Sequence, residues 1–563
     1  MVTRCLQMST RSFGEVDGLE VLYNWPTVKP AIPRHRTKAS TAYVGEYVFY
    51  FRGCSILIMV TALVLMSAPE AHAQAVCAPL PAPAGTAIDV APSQVGSLQA
   101  ILDAAQPGHT IQLADGLYSL PQTLVLRVPG VTLRSKSGNR SNVVLDGRSA
   151  IGNVLLVQKS NVTIADITLT RSTWHLVHVA PSGPLSGTLV HNIRGIDGGE
   201  QFIKVNPVGT DYADNGVIRC SLLEMTPAGR ALVRNNCYTG GIDIHQARGW
   251  QILGNVVTGF WCASGLSEHA IHAWTGSRDT RVEGNVIINS ARGIGFGLGQ
   301  SVAGRTYADG PCGGAANAGH YGGTIVNNFV VANDPWLFSS SSGFDTGIGL
   351  EQSCETAVLH NTVVSTATPR SSSIEWRFAN TFAAVANNLA SHNLISRDGG
   401  RATQGGNVAN VPLSLFVNVP AGDAHLLPEA TVAIDTAAAL GTPVTLDIDG
   451  EPRGAAPDVG ADELTSTPPP YADTTAPTVS ITSPAPGQTV SRTVAITAAA
   501  TDNVGVTMAE LYVDGVMSAS STAAPFTMSW NAQRARRGTH SLQVKAYDAA
   551  GNSSLSAVVT VTR

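Results

Sequence analysis

The chain has 563 residues, a formal net charge of −5 and only 13% charged side chains. That length allows two or three domains with a large apolar core. Lys and Arg are not gathered into a basic stripe, which argues against a nucleic-acid partner.

Residues 54–66, CSILIMVTALVLM, are an apolar run with Arg52 before it and Ala71-His72-Ala73 after it. The run is too short to span a bilayer comfortably. It reads as a signal peptide over 48–73, cleaved after Ala73, with residues 1–47 a non-native or disordered leader. The protein is therefore expected to be secreted, extracellular or periplasmic, with no stable membrane anchor. Cys5 and Cys54 fall in the leader. The other six, Cys77, Cys220, Cys237, Cys262, Cys312 and Cys354, suit disulfides in an exported chain. Their pairing stays open, and free or partly paired thiols stay open with it. A bridge between Cys262 and Cys312 would pin two Gly-rich loops. Residues 74–94 are expected to be a linker.

SLQAILDAAQPGHT begins at Ser97, and Leu98, Ile101, Leu102 and Ala105 share one face of a helix over 97–105. Pro107-Gly108 ends it. Further on, one short pattern repeats as GIDIH (241–245), AIHAW (270–274), GIGFG (293–297), GIGLE (347–351) and SIEWR (373–377). In each, the second and fourth residues are apolar, so each is a strand with one buried face and one chemically mixed face. After each pattern comes an asparagine: Asn255, Asn285, Asn328, Asn361, then Asn387-Asn388. Repeats of this length mean a solenoid, and Val/Ile-rich strands between Gly/Asn turns make it a β-solenoid. Residues 299–320, rich in Gly and Ala, read as a loop inserted into one coil.

The opening at 97–120, the strand–turn–strand NVTIADITLT (161–170) and the closing segment 433–464 resemble right-handed parallel β-helix proteins of the pectin-lyase-like superfamily. The resemblance covers roughly 95–465 and implies an all-β, right-handed parallel β-helix whose N-terminal helix plugs the core. It implies no single reaction, because this fold hosts lyases, hydrolases, epimerases, esterases and adhesins. STPPPYADTTA (466–476) is a stiff Pro/Thr linker. Residues 477–563 change to strand-length alternation with turn signals and resemble the Ig-like modules of bacterial secreted enzymes, with Trp530 in the core.

Stacked strands would put His178, Lys204, Asp243, His272, the glycines Gly295 and Gly349, and Glu375 in one outward column. His245 and Trp274, then Glu351 and Arg377, would share a second. A carboxylate beside an imidazole fixes its tautomer and raises its basicity. Asp243, His245, His272, Lys204 and Arg292 are thus candidate catalytic residues for abstracting the C5 proton of a uronic acid. Trp274, His269, Glu268, Glu351, Glu375 and Arg377 are candidate substrate contacts, with Trp274 offering a sugar-stacking face and Gly295 and Gly297 a flat floor for a ligand. GIDIHQARGWQILGN also resembles the Asp-Pro-His-Asp strand of alginate C5-epimerases. Asp243 and His245 match its first Asp and its His, while Ile244 and Gln246 depart from it.

The expected function is a secreted enzyme acting on an acidic polysaccharide as a lyase or epimerase. The alternatives are a glycoside hydrolase on the same fold and a glycan-binding adhesin. A hydrolase needs two carboxylates about 5–9 Å apart, whereas Asp243 and Glu351 fall three rungs apart. A calcium site would want several Asp on neighbouring rungs, so no metal or cofactor is expected and calcium is not favoured. The bland reading of the same residues is a hydrogen-bond network that only supports stacking, with Glu351 and Arg377 a structural salt bridge. A monomer with a polysaccharide as its only partner completes the expectation.

Overall fold

A computed structural model describes residues 77–234, 236–299, 304–314, 318–465, 476–502, 506–521, 524–548 and 553–563. The expected leader and signal peptide, and most of the Pro/Thr linker, lie outside the described residues.

Short strands dominate because alternate Val, Ile and Leu give each a buried face. They gather into three long parallel sheets of 14, 10 and 10 strands, built up as the chain coils. This is a right-handed parallel β-helix. Its interior is a ladder of aliphatic side chains: Ile111, Leu133, Ile164, Val190, Ile218, Ile252, Val282, Ile325 and Val358 follow one another in register and are fully buried. Parallel strands paired this way bury both neighbours of every inward residue, so the core is continuous along the axis.

The asparagines form a second ladder. Asn255, Asn285, Asn328, Asn361 and Asn388 each pass a side-chain N–H to the carbonyl of the next at 2.9–3.0 Å, and the ladder ends at Asn407. Each of these carbonyls from Asn285 onward also accepts the preceding asparagine's backbone N–H. Turn backbone buried between sheets must find such partners. Of the Asn387-Asn388 pair, the ladder member is Asn388. Asn387 takes a left-handed φ of 56° and donates to His360 and to the Ala438 carbonyl.

The cap helix, α1 (Leu98–Ala104), follows a short 3-10 turn and buries Leu98 and Leu102 over the end of the core. The described part of the expected linker 74–94, from Cys77 on, is already part of the fold. Its strand Ala87–Val90 pairs in parallel with Thr110–Leu113, and Cys77 is bridged to Cys220. Alternation in AIDV is too short a signal to separate a strand from a linker. At the far end, Val411, Phe416, Leu426, Val459 and Ala461 make a separate small core beside Phe329 and Leu389. Residues from Thr478 onward form two antiparallel sheets of three and five strands around Phe526, Trp530, Leu542 and Val544.

One ten-stranded sheet carries the mixed outer face. Its relevant strands are β1 (Val177–Val179), β2 (Ile203–Val205), β3 (Ile242–His245), β4 (Ile271–Trp274), β5 (Arg292–Phe296), β6 (Thr346–Glu351) and β7 (Ser372–Arg377), each paired with the next.

Candidate active site

The register from β1 to β7 aligns His178, Lys204, Asp243, His272, Gly295, Gly349 and Glu375. His245 stands opposite Trp274, and Glu351 opposite Arg377. What the side chains do within those columns is set by contacts between rungs.

Asp243 is the hub. Its carboxylate is only 1% exposed. Oδ1 accepts the Trp274 indole N–H at 3.0 Å, and Oδ2 meets the Lys204 ammonium and, at 3.0 Å, Nε2 of His245. Burial by itself disfavours the carboxylate, but His245 and Lys204 outweigh it and hold Asp243 well below its usual range. Burial also opposes the charge on Lys204, and Asp243 more than offsets it, so the lysine pKa is raised. Lys204 and Asp243 are therefore an ion pair locked in its charged form. The lysine further donates to the Tyr238 hydroxyl at 3.1 Å and lies 2.9 Å from His245 Nε2. That nitrogen can donate to Asp243 or accept from Lys204, not both at once. Burial lowers the His245 pKa against the pull of Asp243, so the ring is neutral at neutral pH. His245 reaches solvent, with 14% of its side chain exposed, and meets Trp274 edge-on at 4.7 Å.

Next to the hub is a second cluster. Trp274 stacks on His272, ring centroids 5.3 Å apart. His272 Nε2 faces the Gly297 carbonyl at 3.0 Å, and its Nδ1 lies 3.4 Å from Glu268 and 3.7 Å from Asp243. His269 packs against His272 at 4.7 Å. The glycine rungs are its seat: a Cβ on Gly295 would come within 2.6 Å of the His269 ring, and one on Gly349 within 3.5 Å of its Nε2. The expected open floor of Gly295 and Gly297 is thus corrected. An imidazole fills the first, and the second lies against the Glu351 carbonyl.

The remaining candidates stand apart. Arg292 pairs with Asp345 at 3.0 Å. Arg377 bridges Glu351 at 3.3 Å and Asp398 at 2.7 Å. Glu375 pairs with Arg397 at 2.8 Å, and burial raises its pKa. Lys204, Arg292 and Arg377, the three cations among the candidates, each already face a carboxylate of the protein. Asp243, His245, His272, Lys204, Trp274, Glu268 and His269 are brought together; Glu351, Glu375 and Arg377 belong to rungs further along.

One residue with a place here, Tyr238, escaped the sequence reading, as did two exposed tryptophans on neighbouring segments. Tyr238 reaches Lys204 from the loop before β3, and its neighbour Cys237 is bridged to Cys262. Its position beside a cysteine just ahead of a column strand is the signal that could have found it. Trp174 and Trp336, 50% and 75% exposed, sit on the segments leading into β1 and β6. Cys312 pairs with Cys354, so the considered Cys262–Cys312 bridge does not form.

Residues 477–544 match the family model described as a bacterial Ig domain. The chain is a parallel β-helix protein with an Ig-like domain after it. No curated protein matches it by sequence. Among solved structures, the fibronectin(III)-like modules of Clostridium thermocellum CbhA are 26% identical over 15% of this chain and 93% of theirs, at a TM-score of 0.14. The polygalacturonase of Erwinia carotovora ssp. carotovora is 12% identical over 59% of this chain and 95% of its own, at 0.30. A variant of the PL6 family alginate lyase AlyGC is 12% identical over 61% of this chain and 73% of its own, at 0.15.

Proposed function

We propose that this protein is an enzyme of acidic polysaccharides that removes the C5 proton of a uronic acid, as a lyase or a C5-epimerase. The observation that carries the reading is a solvent-reaching imidazole, His245, held from behind by the buried Lys204–Asp243 ion pair. With Nε2–H donated to Asp243, the lone pair of His245 is left on Nδ1. That nitrogen is the base. Lys204 cancels the charge of Asp243, so the carboxylate orients the ring without becoming a base itself.

Tyr238 is the acid. It receives its hydrogen bond from Lys204, which leaves its own O–H to be given away, and burial raises its pKa so that it stays protonated. In a lyase, Nδ1 takes the C5 proton, the C–H electrons form the C4–C5 double bond, the C4–O bond breaks, and the leaving oxygen takes the tyrosine proton. In an epimerase, Nδ1 takes the same proton, the C–H electrons stay at C5 as a carbanion beside the carboxylate, and Tyr238 gives its proton to C5 from the opposite face. Exposed Trp174 and Trp336 on the segments leading into β1 and β6 suit stacking of sugar rings along the groove.

A glycoside hydrolase is the weaker reading. Asp243 and Glu351 are three rungs apart, about 14 Å at the usual strand spacing. Asp243 and Glu268 are closer, flanking His272, but Asp243 is buried and neutralised by Lys204, which suits neither a nucleophile nor a water-activating base. The test is a panel of polyuronates read three ways. A lyase gives the absorbance of a C4–C5 double bond, and an epimerase gives inverted C5 by NMR. New reducing ends without either would refute the proposal.

A further inference from the structure

We propose that Glu268, His269 and His272 hold a divalent transition-metal ion of the zinc class. One donor atom from each of the three lies within 4.8 Å of the others. Glu268 Oε2, His269 Nδ1 and His272 Nδ1 are buried and have no hydrogen-bond partner, although Glu268 and His272 are only 3.4 Å apart. Their alignment is wrong for a hydrogen bond, but the spacing suits coordination. Two ligands about 2.1 Å from a zinc ion at the tetrahedral angle stand about 3.4 Å apart.

The surroundings prepare the cluster. His272 is 0% and His269 2% exposed. The Gly297 carbonyl at 3.0 Å takes the Nε2–H of His272, which leaves Nδ1 as the ligand atom, the usual work of an outer-shell partner. Gly295 and Gly349 make room for the His269 ring. Asp243 lies 3.7 Å from His272 Nδ1, but Trp274, Lys204 and His245 already occupy its oxygens. Two imidazoles and one carboxylate suit zinc, and three protein ligands leave a position open. A second His-carboxylate group, His425 with Asp449 and Asp462, carries no such vacancy. His425 is hydrogen-bonded to Asp423 and Asp449, and Asp462 accepts the Leu426 N–H.

This inference goes beyond the proposed reaction and is tested without any polysaccharide. The chelator-treated full chain is titrated with zinc chloride by calorimetry, and with cobalt chloride by visible absorption. The expected result is one equivalent bound, with cobalt bands of a low-coordinate imidazole site. His269→Ala and Glu268→Gln should each weaken binding by more than about 100-fold, while His425→Ala should leave it unchanged. No cobalt spectrum in the unmutated protein, or binding that survives both site variants or vanishes in His425→Ala, would overturn it. The cobalt spectrum decides the matter even where a variant fails to fold.

Discussion

Replacing Asp243 with Asn keeps the side chain's shape and removes its charge. The amide can still accept the Trp274 N–H that now reaches Oδ1 at 3.0 Å. It cannot balance Lys204, whose side chain is 5% exposed and whose counter-charge is Asp243. Leaving one member of a buried pair alone costs about 3–5 kcal/mol. Lys204→Met should cost a similar amount by stranding Asp243. The double variant Lys204→Met/Asp243→Asn removes both charges, and it should lose about 0.5–3 kcal/mol less than the two singles added together, as coupled neighbours do. Urea unfolding followed by circular dichroism, with the Ig-like domain common to all four proteins, measures the cycle. Asp243→Asn within about 1 kcal/mol of the parent, or strict additivity, would refute the picture of a locked ion pair.

Other expectations follow from the same contacts. His245→Gln should lower turnover on the responsive polyuronate by about 10²–10⁴-fold while leaving the unfolding midpoint near that of the parent. Because burial lowers the His245 pKa and the base must be neutral, activity should hold as pH falls to the ordinary imidazole value of 6.5 and be lost only below it in a kcat/KM profile. Gly295→Ala would put a methyl 2.6 Å from the His269 ring. It should cost about 1–3 kcal/mol and shift the His269 NMR resonances, and unchanged resonances would contradict the glycine seat. Asn328→Ala strips partners from Asn285, Asn361 and the Val282 and Val326 carbonyls. At about 1–3 kcal/mol per stranded buried group it should destabilise far more than Asn407→Ala at the half-buried end of the ladder, as read by protease resistance.

Much of the architecture was legible. A period of two assigns every residue in GIDIH or AIHAW to a face, and the recurring asparagines fix which residues stand opposite one another. Asp243 beside His272 and His245 beside Trp274 follow from those two facts alone. What alternation cannot convey is where the end of a side chain goes. Lys204 and Asp243 were read as two outward groups facing a substrate, yet they turn to each other and bury. Gly295 and Gly297 looked like open floor because the residue that fills the space over Gly295, His269, lies outside the strand pattern, just before β4. Tyr238 and the three disulfides depend on where the loops between strands meet, which no local period records. The strand at Ala87–Val90 was missed because four residues carry too little pattern to tell a strand from a linker.

The central claim is proton abstraction from C5, and exchange with solvent tests it most directly. The protein is incubated with a polyuronate panel in heavy water, and the C5 position is followed by proton and deuterium NMR. The account predicts, on at least one polymer, either deuterium at C5 with inverted configuration or loss of H5 with a new C4–C5 double bond. His245→Gln should abolish it. Chain cleavage with H5 retained would contradict the account.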